Sequence, residues 1–240
     1  MTVDYGHFPD LGALSEFIGD CQRCPLARCR TTLVFGVGKP DADVMFIGEG
    51  PGRNEDLKGE PFVGAAGQLL DELLGSIGLH RSDVYIANIV KCRPPNNRDP
   101  EPIEIETCTP FLREQIRLID PSVIVTLGKF ATQWVLQTEV GITRLRGRRH
   151  EVDGRAVLPI FHPAAALYDQ SKRSVLFDDF RRLNVLLDAE LGGPAPAAQA
   201  GESESAADKV TDSGAVTVSA AGDGGGDDPP AAEAAQGTLF

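Results

Sequence analysis

Four short apolar runs rich in β-branched residues recur along the chain, at 43–47, 84–90, 122–127 and 156–161. They predict strands. Between them the apolar positions fall at helical spacing, which predicts helices over 66–77, 102–118, 129–137 and 174–190, with a short one over 11–20. Alternation of this kind points to an α/β fold, a three-layer α/β/α sandwich around a central, mainly parallel four-stranded sheet. The stretch "RRHEVDGRAV" carries an Asp-Gly pair of the sort that closes a hairpin, with 146–151 leading into it. Residues 1–192 then form one domain.

From Gly192 onward the pattern stops. Val210, Val216 and Val218 are the only sizeable apolar side chains in the long stretch up to Gln236, too few to offset the entropy of ordering, so 193–235 is expected to be a disordered acidic linker. A final segment, 236–240, ends in Leu239 and Phe240.

Composition qualifies this picture in two places. The chain has 240 residues, a hydrophobic share of 42% and a formal net charge of −12. That charge is uneven: residues 1–192 hold 27 acids against 22 bases, whereas 193–240 hold 8 acids and the single base Lys209. An acidic sum therefore does not exclude a nucleic-acid partner, because bases such as those of "RLRGRRH" at 144–150 still cluster in the body. No stretch approaches the ~20 apolar residues that span a bilayer, and the opening "MTVDYGHFPD" lacks the charged start and apolar run of a signal peptide. A cytoplasmic protein without membrane contact is expected.

Five cysteines in such a chain suggest metal before disulfide. Cys21 and Cys24 form a C-x2-C pair, Cys92 follows the second strand, and Cys108 falls in the next helix. Four thiolates from separate segments suit either tetrahedral zinc or an iron–sulfur cluster, and spacing does not separate the two. The plain alternative is a set of unrelated buried thiols. Cys29 is left over as structural or idle.

The ends of the strands carry the remaining chemistry. In an open parallel sheet, ligands collect beyond the carboxyl ends of the strands. The first run ends in "GEGPGRNED" with Gly48, Glu49 and Gly50; the second delivers Asn88 and "KCRPPNNRDP"; the third ends in "LGK"; the fourth ends in "FHPAAAL" with His162. Glycines let backbone N–H groups approach a ligand, so this rim suits an anion or a polarised oxygen. A Walker-type loop is excluded by spacing and by the missing Lys-Ser/Thr ending. Each element also has an ordinary reading, Asn88 as a cap and His162 as a turn residue.

Taken together and in order, "CQRCP", "GEGPGRNEDLKGEPFVGAAGQLLD", "NIVKCRPPNNRDP", the cysteine with fifteen residues between it and Cys92, "LGK" and "HPAAALYD" resemble the family 4 uracil-DNA glycosylases, the iron–sulfur branch found in archaea and bacteria. The resemblance covers roughly residues 14–190. It implies a monofunctional hydrolase that removes uracil from single- or double-stranded DNA, leaves an abasic site and starts base excision repair. It also implies a [4Fe-4S] cluster on Cys21, Cys24, Cys92 and Cys108. By the same resemblance Glu49 positions water and supports the cationic sugar, His162 stabilises the departing uracilate at O2, and Phe62 stacks on the extruded base. Asn88 reads the O4 and N3–H edge, and backbone donors of Gly48 and Gly50 meet the oxygen where charge develops. A leucine wedge from the loop after the histidine corresponds to Leu167, and Arg93, Arg98, Lys172 and Arg173 are candidates for phosphate contact, as are the arginines of 144–149.

Two further expectations concern partners. "QGTLF" resembles the short peptides that dock on replication sliding clamps, through Gln236, Leu239 and Phe240, and the 43 residues of linker would reach roughly 35–40 Å. The enzyme itself is expected to act as a monomer. The competing classes are a clamp-tethered DNA-binding module without catalysis, and a nucleotide-binding enzyme of ordinary Rossmann type. Against them stand the intact Glu49, Asn88 and His162, the four cysteines, and the lack of an acidic ribose ligand.

Overall fold

The computed structural model of the chain describes residues 5–192; the expected linker and the clamp peptide at Gln236, Leu239 and Phe240 lie outside the described residues. Six strands form one sheet: β1 (Val37–Gly38), β2 (Val44–Gly48), β3 (Tyr85–Asn88), β4 (Val123–Leu127), β5 (His150–Val152) and β6 (Arg155–Ile160). Their order is β1-β3-β2-β4-β6-β5. The four inner strands are mutually parallel and are the four that the apolar runs predict. The sheet is wider than the expected four, however, because an antiparallel strand is added at each edge. One of them, β5, belongs to the foreseen hairpin: Asp153 and Gly154 both take positive φ, 49° and 77°, the pairing that a tight two-residue turn requires. The other, β1, is two residues long and carries no run to read.

The helices are α1 (Leu11–Ile18), α2 (Arg53–Lys58), α3 (Ala65–Gly75), α4 (Pro102–Ile119), α5 (Lys129–Leu136), α6 (Ile142–Leu145), α7 (Ala165–Tyr168) and α8 (Ser171–Glu190). The five long ones match the predicted ranges within a few residues; α2, α6 and α7 are too short to show a period. Strand alternation divides the core. Met45 and Ile47 of β2 face a layer with Leu14, Phe111, Leu112 and Val135, from α1, α4 and α5. Val44 and Phe46 face Leu70, Leu74, Phe180 and Leu183, from α3 and α8. Every residue of β2, β3 and β4 is buried, as expected of strands covered on both faces. No helix among the described residues is long and apolar enough to cross a membrane.

This arrangement fixes the functional rim. Because β2 and β3 run parallel with Gly48 opposite Asn88, the turns after them leave the sheet side by side, and two backbone bonds continue the pairing past the strands, Ile89 N to Gly48 O at 2.9 Å and Val90 N to Glu49 O at 3.1 Å.

Candidate active site

A cleft of about 320 Å³ opens at the carboxyl ends of the parallel strands, and Glu49, Gly50, Glu55, Phe62, Asn88 and His162 are among the residues that line it. Gly48 does not line it but makes its floor possible. A Cβ there would stand 2.4 Å from Asn88 Oδ1 and 2.8 Å from Phe62 Cζ, so any side chain would displace both.

Asn88 is buried, at 2% exposure. Its Oδ1 is shielded from solvent and has no hydrogen-bond partner among the described residues. An unpaired buried amide oxygen costs about 1–3 kcal/mol, which a ligand with an N–H in the right place would recover. In the same cleft the Phe62 and His162 rings stack on each other, 5.5 Å between centroids and 28° from parallel.

Two of the ionisable groups that line the cleft, Glu49 and His162, are driven toward neutrality. Burial, reinforced by the charge of Asp99, pushes the Glu49 carboxyl up to about 7. Burial pulls the half-buried His162 down to about 4, against the opposing charge of Glu55. At neutral pH the imidazole is therefore uncharged. Its Nδ1 accepts the Ala164 N–H at 3.1 Å, which leaves the Nε2–H as the proton the ring donates.

Phe62 is held in an unusual backbone conformation, φ 54°, which costs a non-glycine residue free energy. Three features that the sequence reading missed maintain it. The Glu55 carboxylate accepts from the N–H groups of Val63 and Gly64, both at 2.9 Å. Arg81 donates to the carbonyls of Phe62 and Pro61 at 2.9 and 2.6 Å, and its guanidinium is anchored on Asp71 at 3.0 Å. Gly67 lets the turn press against α3, since a Cβ there would stand 1.7 Å from the Phe62 carbonyl oxygen. The acid at Glu55 within "GRNED" was visible, but the N–H groups that donate to it lie eight and nine residues on, and no local pattern reveals them.

The expected phosphate contacts fare unevenly. Arg98 lines the cleft, yet its guanidinium is spent on the fully buried Glu104, at 2.7 and 2.9 Å, and on Glu101 at 3.2 Å. It fastens the loop ahead of α4. Arg93 donates to Asn97 at 2.7 Å, Lys172 pairs with Asp169 at 2.9 Å, and Arg173 pairs with Glu72. Leu167 on α7 is 43% exposed, and the neighbouring Tyr168, absent from the sequence reading, is 91% exposed.

A second cavity lies behind the cleft, lined by Cys21, Cys24, Cys92 and Cys108 with Arg30 and Lys91. Cys29 is exposed and takes no part in it. Among the described residues no three His, Cys, Asp or Glu side chains are grouped to hold a single metal ion; the four thiols surround a space. Three of the sulfurs accept hydrogen bonds: Cys21 from Arg23 at 3.3 Å, Cys92 from Arg30 at 3.5 Å, and Cys108 from the Lys91 backbone N–H at 3.3 Å. Donors and cations directed at sulfur suit thiolates that share a polynuclear cluster. Lys91 itself is buried, pulled down to about 8 by desolvation, and its Nζ donates to the Asn88 carbonyl at 2.9 Å and to Gln115.

A stacked aromatic pair, a buried amide oxygen without a partner and an uncharged imidazole thus line one cleft at the ends of the parallel strands. Comparison with known proteins gives the family. Residues 35–184 match the model of the uracil DNA glycosylase superfamily. A type-4 uracil-DNA glycosylase of Archaeoglobus fulgidus is 49% identical over 177 residues, covering 70% of this chain and 89% of that protein. Those of Sulfurisphaera tokodaii and Thermotoga maritima are 45% and 44% identical over 185 and 181 residues, covering 73% and 74% of this chain and 84% and 94% of those proteins. The chain belongs to the uracil DNA glycosylase superfamily, in its type-4 branch.

Proposed function

We propose that the chain hydrolyses the N-glycosidic bond of uracil in DNA, leaving an abasic site for repair. The observation that carries this reading is the buried, partnerless Oδ1 of Asn88 in the cleft that Phe62 and His162 also line. Uracil offers N3–H to that oxygen and O4 to the amide N–H of the same side chain. Cytosine presents an acceptor at N3 and a donor at the 4-position, so it would leave both groups of Asn88 opposed.

The base must leave the duplex to reach this cleft, at a cost of a few kcal/mol. Stacking on Phe62 returns about 1–3 kcal/mol. As the glycosidic bond breaks, the electron pair goes to the base, and negative charge grows at O2. The His162 Nε2–H and the backbone donors of the glycine-rich turn are suited to that oxygen in the transition state more than in the ground state. A neutral donor is adequate, because the charge it serves exists only transiently. On the sugar side, ionised Glu49 stabilises the developing cation and orients the water that adds to it. A lysine in its place, as in a phosphate loop, would oppose the same step.

Cys21, Cys24, Cys92 and Cys108 would hold the iron–sulfur cluster, which supplies a cross-link between the segments around 21–30 and 92–108. Leu167 is the side chain suited to fill the gap left by the base. At the far end, Gln236, Leu239 and Phe240 would anchor a sliding clamp; clamp binding that persists unchanged after removal of 236–240 refutes this.

Incubation with a uracil-containing oligonucleotide followed by alkali tests the reaction. Strand cleavage by the wild type, none by His162→Ala and much less by Asn88→Ala is the expected result; equal cleavage by all three overturns the site.

A further inference from the structure

Away from the base pocket, a cleft of about 460 Å³ is lined by Thr143, Arg144, Arg146, Arg148 and Arg182, with no carboxylate in its wall. It is a built feature. Asp179 of α8, fully buried, accepts from Arg146 at 2.8 and 3.1 Å and stands 3.6 Å from Arg182. The Arg182 guanidinium also donates to the Gly147 carbonyl at 3.4 Å. The chain passes between these groups only because residue 147 has no side chain: φ is 69°, and a Cβ would stand 2.2 Å from Arg182 Nη1 and 2.7 Å from Asp179 Oδ1. One buried carboxylate thus sets two guanidinium groups in place. The side chains of Arg144 and Arg148, both exposed, have no ion pair or hydrogen bond among the described residues; the one bond of Arg144 is from its backbone N–H to the Gly141 carbonyl. Arg149, in the same run, behaves differently and is spent on Glu190 and Glu151 at 2.8 and 3.2 Å.

We propose that this cleft binds consecutive phosphates of the nucleic-acid strand whose base enters the pocket; the proposal rests on the uracil-DNA reading above. Several planar forks converging on one space match phosphate oxygens. Phe161 links the cleft to the pocket: the Arg146 guanidinium lies 5.2 Å from the centroid of this ring, Lys172 reaches it at 6.0 Å, and the next residue is His162. On a chain of formal net charge −12, long-range attraction to DNA is weak, so the phosphate-driven part of binding must come from such a local concentration of cations.

The test is binding of a uracil-free 30-nucleotide single strand to the full-length protein across a salt series, with uracil excision by the wild type measured alongside. Each lost phosphate contact removes about 0.7 from the slope of log K against log salt for single strands. Arg144→Ala/Arg148→Ala is expected to lower the slope by about 1.4 and weaken binding at low salt at least tenfold. Arg144→Lys/Arg148→Lys should keep the slope and lose only part of the affinity, and Arg149→Ala should match the wild type. Thermal midpoints confirm that the variants fold. An unchanged slope in the alanine pair, with excision intact in the wild type, overturns the cleft and leaves the uracil reading standing; a wild type that neither excises nor binds overturns both. Equal losses of affinity for a 5′-mononucleotide and for the 30-mer would mean a small-anion site, and a slope effect that vanishes once 193–240 are removed would mean that the chain's own acidic segment is the occupant. Either result sinks the strand assignment.

Discussion

The base cleft and the cysteine cavity are joined by one short segment, 88–92, and although burial opposes charge in both, they partner their polar groups differently. In the cleft, burial removes charge: Glu49 is raised to about 7 and His162 lowered to about 4, and Asn88 keeps an unpaired oxygen. Around the thiols, donors are brought in: the Arg23 and Arg30 guanidinium groups and the Lys91 backbone N–H donate to sulfur. One region leaves a buried acceptor open, as the proposed passing guest requires, while the other already supplies donors to its sulfurs, as the proposed resident cluster requires. Stability and catalysis should therefore separate when each region is damaged in turn.

The largest effect is expected from the groups facing the guest. His162→Ala should lower kcat by about 100- to 1,000-fold with little change in thermal midpoint, measured by single-turnover excision and calorimetry. A comparable loss of stability would erase the contrast between the two regions.

Next comes pH. If ionised Glu49 supports the cationic sugar, activity falls roughly tenfold per unit below about 7, whereas His162, neutral down to about 4, adds no inflection between 5 and 9. Glu49→Gln should be slow and flat across that range. The linkage sign is opposite for stability: a raised carboxyl pKa means that the folded state binds its proton more tightly, so the contribution of Glu49 is favourable at low pH and is lost as pH rises through about 7. Glu49→Gln should thus gain most in thermal midpoint near pH 8.

Cys92→Ser probes the other region. It should abolish the visible absorption of an iron–sulfur centre and cost about 3 kcal/mol of stability, roughly 10 °C in midpoint, while the stacking of uracil on Phe62 survives at low temperature. A protein that stays colourless when purified without oxygen would remove the cluster. Smaller again, Arg81→Ala frees the carbonyls of Pro61 and Phe62 and should reduce kcat/KM about tenfold, with KM rising because the Phe62 ring loosens. Smallest is Arg173→Ala, which breaks an exposed pair with Glu72 and should change stability by less than about 0.5 kcal/mol.

Much of this was legible in the sequence because local pattern carried it. The inner strands announced themselves as apolar runs, and Glu49 and His162 stood out as polar residues just beyond such runs, Asn88 as the polar residue inside one. What stayed hidden was either too short or too distant in the chain. β1, α2, α6 and α7 offer no period to detect. The fastening of Phe62 needs Glu55 and Arg81, the latter nineteen residues away, and the diversion of Arg98 depends on Glu104 being fully buried, which charge spacing cannot show. Arg144 and Arg149 read alike as letters, and only packing assigns them different partners.

Asn88 and Cys92 stand four residues apart at the end of the same strand, with Lys91 between them reaching both sites. Inserting or deleting one residue here would turn the base-reading amide away from the cleft and carry the thiol out of its cavity in the same event. The interval is therefore closed to change in length, and its filling is constrained as well, since Ile89 and Val90 are buried at 1% and 0% exposure and their N–H groups hold Gly48 and Glu49.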